Sequence, residues 1–349
     1  MQLSEIAAMA SHEAEGDFMP EHPNRVLCLD TDGVLYNVAK PNISLEANVK
    51  QVVKRIEYLR KACGAVLVES HTTMWLKGGR EQMAYYQAYQ KKRNTNVIPE
   101  LAERVRDLRR AIYNYSSETV VACPQWFLEA DDSMTASHNR RIAQTGDTMS
   151  SVIGTDDKDL DMNCGAIMNL RSGKITYCGE WHNGAWIKDF GKTEYIKKPG
   201  KSGKMVGRGH SFFWGQMLAG DTVDHIAGVP ALKAELANYY MPLKKANKSR
   251  PDSACGAATA VKVLSHYGSD RAAYRGVANC YKAYFGNDWP FFFFENAFLL
   301  WMRRTDRWDD VLDFLRPLGF EYELHTQQKQ AIQEYGKLCH AFMVKNNLL

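Results

Sequence analysis

The sequence predicts an α/β protein with a central, mostly parallel sheet flanked by helices, and three observations predict it. Short apolar runs recur at Val26–Asp30, Ala65–Val68, Thr119–Ala122 and Ser151–Gly154. Runs of that length, bounded by polar residues, read as buried strands. Between the first two, Leu45, Val49, Val52, Val53, Ile56 and Leu59 recur at helical spacing over residues 44–62, and strand–helix–strand is the building unit of a parallel sheet. Finally, acids follow three of the four runs, where parallel sheets place their ligand sites.

The remaining elements follow in order. Residues 72–96 form a polar, basic, Tyr- and Gln-rich excursion with Gly78-Gly79 inside it, and a helix over Glu100–Tyr113 begins after Pro99, a favourable first-turn residue. Glu129–Asp132 opens another helix. Residues 165–210 read as a β-hairpin region with a Gly/Lys-rich loop at 198–204, and from Phe212 the pattern is mainly helical. Phe294, Phe298 and Trp301 recur at helical spacing, so the aromatic cluster from Phe285 onward reads as core rather than as a base-stacking platform. Residues 306–349 contain an amphipathic helix to which the sequence attaches no function.

Charge distribution says more than the net value of +4. Thr72–Arg110 holds nine basic residues against four acids, and Lys188–Arg208 holds seven against two, so each stretch carries +5 and the rest of the chain is net acidic. Basic arms around an acidic centre suit a polyanion gripped at its backbone while cations occupy the middle. The eight cysteines show no C-x-x-C and no zinc-like spacing, which points to a reducing, cytoplasmic setting. No signal-like apolar N-terminus and no 18-residue apolar run is present, so no membrane span is expected.

The carboxylates carry the chemistry. Asp30 follows one strand, Glu129, Asp131 and Asp132 another, and Asp157 and Asp159 a third; Asp221 and Asp224, three apart, read as one face of a helix start. Gathered together, so many carboxylates repel unless cations neutralise them. Oxygen-only donors without His or Cys suit Mg2+ or Mn2+ rather than zinc, and two such ions serve phosphodiester hydrolysis.

The order of these motifs resembles the bacteriophage 5′→3′ exonuclease/flap endonuclease family, related to the 5′-nuclease domain of bacterial DNA polymerase I. The matching stretches are Leu29-Asp30-Thr31-Asp32, Leu128-Glu129-Ala130-Asp131-Asp132, Asp157-Lys158-Asp159 and Gly220-Asp221-Thr222-Val223-Asp224-His225-Ile226-Ala227-Gly228-Val229-Pro230. The last is the most specific, because the family pattern there is close to G-D-x-x-D-N-I-x-G-V-x-G. The resemblance covers roughly residues 25 to 305. It implies a PIN-like 5′-nuclease fold with a helical arch and a C-terminal helix-hairpin-helix-type module. The corresponding layout is an N-terminal extension at 1–24, a nuclease core at 25–220 with the arch at about 72–118, a helical DNA-binding module at 221–305, and an extension at 306–349. An insertion at about 231–253 interrupts the module.

By the resemblance, Asp30, Glu129, Asp131, Asp132, Asp157, Asp159, Asp221 and Asp224 are metal ligands, holding two Mg2+ or Mn2+ ions. Asp32 is either a ligand or a cap, and Glu69 or His71 stands where the family carries a further acid. The family's Y-K-x-N-R arch element corresponds to Tyr89-Gln90-Lys91-Lys92-Arg93, so Tyr89, Lys91, Lys92 and Arg93 are expected at the scissile phosphate. Lys77, Arg80, Gly256 and Lys262 are expected to meet nucleic acid, with a K+ site implied in the interrupted loop. The implied activity is structure-sensitive cleavage of DNA bearing a free 5′ end, flap or nick, and of RNA in RNA·DNA hybrids, in replication and recombination, by a monomer. Two other readings remain: a DNA-binding structural factor that has lost catalysis, and a PIN-type RNA endonuclease.

Overall fold

The computed structural model describes residues 19–91, 98–197, 199, 203–229, 255–305 and 307–346. Lys92, Arg93 and the 231–253 insertion lie outside the described residues. The chain divides into two compact units. The first comprises Met1–Lys77, Thr95–Lys188 and Met302–Asp306; the second comprises Gly78–Asn94, Asp189–Trp301 and Arg307–Leu349. The border after Lys188 falls earlier than the expected one at 220, and residues 78–94 group with the later helices rather than with the nuclease core.

The first unit is the expected α/β fold. Its strands β1 (Val26–Asp30), β2 (Leu67–Thr73), β3 (Val120–Gln125), β4 (Ser151–Thr155), β5 (Gly165–Asn169) and β6 (Ile175–Cys178) form one sheet in the order β3-β2-β1-β4-β5-β6. All neighbouring pairs are parallel except β5–β6. Helices α1 (Thr31–Val38), α2 (Leu45–Ala62) and α4 (Pro99–Ile112) supply the apolar core on one face, where Leu27, Leu29, Val68 and Val152 meet Val34, Leu35, Val52, Ile56 and Leu108. Strand side chains alternate between faces, so Cys28, Asp30, Glu69, His71, Ser151 and Thr155 belong to the opposite face, beneath α5 (Ala130–Thr145). A small hairpin, β7 (Glu180–His182) with β8 (Ala185–Ile187), completes the unit.

The second strand runs further than its apolar residues indicate, through Ser70, His71 and Thr72, all buried. These polar side chains are tolerated because they are paired: Ser70 Oγ lies 2.7 Å from Thr31 Oγ1, and His71 Nδ1 lies 2.9 Å from Ser133 Oγ of α5.

In the second unit, β9 (Lys192–Ile196) and β10 (Lys204–Arg208) form an antiparallel pair. They precede α6 (His210–Ala219), α7 (Ala257–Leu264), α8 (Asp270–Phe285), α9 (Trp289–Leu300), α10 (Asp310–Leu315) and α11 (Thr326–Lys345). Here α3 denotes the single turn Arg80–Met83. Phe293, Phe294, Phe298 and Trp301 are buried in this unit, as the helical spacing predicted. Asp221 and Asp224 do not open a helix. They sit on a tight hairpin between β11 (Gly220–Asp221) and β12 (Ile226–Ala227). Gly220 has a φ of +72°, and a Cβ there would stand 2.3 Å from the Ile226 carbonyl oxygen, so the glycine permits the chain to fold back on itself.

Candidate metal centre

The first unit brings acids from three separated segments into one electrostatic group. Asp30 ends β1 and caps α1: its Oδ1 accepts from the Gly33 amide at 2.8 Å. A Cβ at Gly33 would stand 2.5 Å from Asp30 Oδ2, so this glycine leaves room for the carboxylate. Thr155, the last residue of β4, donates from Oγ1 to Asp30 Oδ2 at 3.3 Å and accepts from the Asp157 amide at 2.9 Å. Asp157 in turn accepts from the Asp159 amide at 2.9 Å. Asp131 lies in the first turn of α5, which starts after Glu129.

These groups destabilise one another's charge. Burial first, and then the charges of Asp32 and Asp157, push the Asp30 carboxyl up to about 7. Desolvation, followed by the charges of Asp157, Asp30, Glu129 and Asp132, raises Asp131 well above the ordinary carboxylate range. Repulsion of this kind is what a bound divalent cation relieves, and the donors are oxygens only. Asp30, Asp131 and Asp157, with half-buried Glu129, are therefore the groups in this unit suited to a hard cation.

Two other acids are already committed. Asp132, expected as a ligand, is 1% exposed; its Oδ1 accepts from the Arg303 amide at 3.0 Å and its Oδ2 lies 3.8 Å from Arg303 Nε. An arginine 171 residues away thus balances its charge, and the structure assigns it to a buried ion pair. Asp32 resolves in the same direction. It accepts from Arg109 Nε at 2.9 Å and from the Thr73 amide at 2.9 Å, so it ties α1 to α4 and β2. Asp159 is buried and lies 3.2 Å from Lys158 Nζ.

Glu69 and His71 lie on β2 under α5. Burial opposes the Glu69 charge, but the neighbouring His71 ring and the Ser137 hydroxyl outweigh it and hold the carboxyl below its usual range. Beside them, His138 of α5 bonds Ser151 Oγ through Nδ1 and the Cys164 carbonyl through Nε2, each at 2.9 Å. Burial pushes it down to about 4 against the opposing carbonyl bond, so it is neutral near pH 7.

In the second unit the Asp221–Asp224 pair is held internally. Asp221 Oδ1 accepts from the Val223 amide at 2.7 Å and from the Asp224 amide at 3.4 Å. Tyr89 Oη donates to Asp224 Oδ2 at 3.3 Å, and the Gln90 amide donates to the Asp224 carbonyl at 2.7 Å. Tyr89 and Gln90 are buried, so this stretch docks on the hairpin and does not offer Tyr89 to a phosphate. Lys91 follows as an exposed residue. Arg80, expected on nucleic acid, is fully buried; its guanidinium donates to the carbonyls of Leu299 at 3.1 Å and Trp301 at 2.9 Å, at the C-terminal end of α9. That is a helix-end anchor and corrects the expectation. Lys77 is half-buried in the first unit, Gly256 is the exposed N-cap of α7, and Lys262 is half-buried on that helix.

Sequence reasoning passed over Thr155, Arg109 and Arg303. Nothing local marks them, because each acts on an acid at least 77 residues away.

Compared with known proteins, the sequence matches no family model and no curated protein. Solved structures similar to it include the T5 D15 protein co-crystallised with metal ions, 14% identical, covering 89% of this chain and 99% of that one with a TM-score of 0.45. Another is a bacteriophage T5 D15 flap endonuclease in a pseudo-enzyme–product complex with DNA and metal ions, 13% identical over 79% and 99% of the two chains, TM-score 0.42. A third is the T5 5′-exonuclease with zinc bound, 13% identical over 89% and 99%, TM-score 0.44.

Proposed function

We propose that this chain is a divalent-metal-dependent nuclease that hydrolyses phosphodiesters of DNA presenting a free 5′ end, flap or nick, and of RNA in RNA·DNA hybrids. The observation that carries the reading is electrostatic: the charges of Asp157 and Asp30 act against Asp131, and that of Asp157 acts against Asp30, without a basic side chain among the causes that shift Asp30 or Asp131. Asp32 and Asp132, by contrast, each have an arginine. A fold that balances the second kind and leaves the first kind repelling is built to receive a cation.

Asp30, Asp131 and Asp157, with Glu129, would hold Mg2+ or Mn2+, which would supply Lewis-acid charge for phosphodiester hydrolysis. The chain's own residues do the rest. Gly33 and Thr155 orient Asp30, and the Thr155 hydroxyl holds the Asp157 backbone beside it. Burial and the neighbouring acids raise the Asp131 carboxyl well above the ordinary range, a penalty that a bound cation would relieve. Asp132 and Arg303 fix the first turn of α5, and with it the position of Asp131. Lys91 and Lys262, as point charges, and the backbone amides after Gly256 would meet phosphates without reading sequence. Occupancy by two ions belongs to the same proposal.

The test incubates the protein with 5′-labelled flap, nicked and hybrid duplexes, with Mg2+ and with EDTA. Metal-dependent products are expected from the flap and nicked substrates. Tight, metal-independent binding without any product would return the structural-factor reading and overturn the enzyme.

A further inference from the structure

Beneath α5, apart from the carboxylate group, three side chains of different chemistry converge. Cys28 on β1 and Glu69 on β2 are register partners, and His71 follows two residues on, in register with Asp30. The Sγ, carboxylate oxygen and ring nitrogen all lie within 4.8 Å of one another. Cys28 Sγ stands 3.9 Å from Glu69 Oε2, and His71 Nε2 stands 3.5 Å from the same oxygen. A tetrahedral zinc with bonds of about 2.0–2.3 Å separates its ligand atoms by roughly 3.3–3.8 Å, so the 3.5 Å separation is that of a tetrahedron's edge and the 3.9 Å one reaches it by a small closure.

A second observation points the same way. His71 is 1% exposed, yet among the described residues its Nε2 has no hydrogen-bond partner of good geometry, Glu69 Oε2 standing 3.5 Å away. Its other nitrogen, Nδ1, lies 2.9 Å from Ser133 Oγ. A histidine that donates from Nδ1 to an oxygen presents a lone pair at Nε2, the arrangement that supports a metal-binding imidazole. Glu69 accepts from Ser137 Oγ and keeps its charge. The Glu69 side chain is 26% exposed, which leaves a route for an ion from solvent.

We propose that Cys28, Glu69 and His71 form a second metal site, selective for a borderline-soft divalent ion such as Zn2+ and chemically distinct from the all-oxygen group at Asp30, Asp131 and Asp157. Binding releases the Cys28 thiol proton to solvent and leaves a thiolate on the ion, with water or the Ser137 hydroxyl as the fourth donor. The ion clips β1 to β2, and through Ser133 and Ser137 it braces α5, the helix that carries Asp131.

Co2+ is the probe, added to the metal-free full-length protein in excess Mg2+ so that the oxygen site is filled. The expected result is a thiolate-to-cobalt charge-transfer band that saturates at one equivalent. The band disappears in Cys28→Ala and His71→Gln and persists in Cys123→Ala, whose thiol lies on β3 in register with His71. Zn2+ competes the band away, and zinc retention falls at least about tenfold in either variant. A folded wild-type protein that shows no such band, or a band that survives in Cys28→Ala, overturns the site and leaves an ordinary hydrogen-bonded network. The wild-type spectrum decides even if a variant fails to fold. Failure of the nuclease reading would show as absent cleavage with this band intact, so the two proposals fail separately.

Discussion

On one face of the central sheet Leu27, Leu29, Val68 and Val152 enter an apolar core beneath α1, α2 and α4. On the other face the alternate residues of the same strands are Cys28, Asp30, Glu69, His71, Ser151 and Thr155. Every one of them is buried or half-buried and carries a polar or ionisable group, while Val26, Leu67 and Ile153 are the apolar residues of the same face. The first face stabilises the fold by removing apolar area from water. The second pairs most of its polar atoms with named partners, and at its edge, where Asp30 meets the charges of Asp32 and Asp157, the carboxylates raise one another. The difference teaches that stability and chemistry are separated by strand pleat, one residue apart.

The largest effect expected from breaking that contrast is on turnover. Asp131→Asn should cut metal-dependent cleavage by about a thousandfold or more, because removing a ligand forfeits several kcal/mol of charge stabilisation. Duplex affinity should be nearly unchanged, measured by fluorescence anisotropy in Ca2+; equal loss of binding and cleavage would make Asp131 a structural acid. Next in size, Arg303→Ala strands the buried Asp132 carboxylate and should cost about 3–5 kcal/mol in urea unfolding. A loss below about 1 kcal/mol would return Asp132 to the ligand set.

Adjacent residues of β1 then offer opposite signs. Leu29→Ala should destabilise by about 2–5 kcal/mol, whereas Asp30→Asn should stabilise the metal-free protein. The sign follows from the raised carboxyl. Between its unfolded value near 4 and about 7, the folded state holds the Asp30 proton more tightly than the unfolded chain, so wild-type stability falls as pH rises through this window. The gain from Asp30→Asn should therefore be absent near pH 4 and grow to at most about 4 kcal/mol by pH 7. Taking the difference between the two proteins cancels His138, whose depressed value contributes stability in the opposite direction between about 6.5 and 4. A pH-independent difference would show that Asp30 is not in a repelling group. Smallest of all, Tyr89→Phe removes one buried hydrogen bond at Asp224 and should cost about 1–2 kcal/mol in thermal unfolding. A larger loss of cleavage than of stability would place Tyr89 back among the phosphate-binding residues.

Much of this architecture is legible in the sequence. The apolar runs mark β1 and β4, the helical spacing of residues 44–62 marks α2, and the acid at each strand end marks where a ligand site belongs. What stays hidden has physical reasons. The outer half of β2 reads as loop because its buried face is polar, and the serines that satisfy it lie on α5, more than sixty residues away. The division of the acids into repelling and paired groups depends on Arg109 and Arg303, which no periodicity connects to Asp32 or Asp132. The Gly220–Gly228 stretch shows its acids three apart, a helical spacing, yet the two glycines bring the chain into a hairpin; a Cβ at Gly228 would stand 2.2 Å from the Leu218 carbonyl oxygen. Arg80 sits in a basic stretch and looks like a surface contact, but its guanidinium closes the end of a helix.

Thr155 stands at the end of β4 between Asp30 and Asp157. One hydroxyl touches both Asp30 and the backbone of Asp157, so the width of the gap between those carboxylates is a property of the end of β4 and not of the acids themselves. A gap set by a rigid strand discriminates among cations by radius, since Mg2+ demands a tight octahedron and Ca2+ tolerates a looser, larger shell. Thr155→Val keeps the bulk and removes the tether, and is expected to narrow the difference in affinity between the two ions, read by calorimetry. Choice of cofactor would then be written in a residue that never touches it.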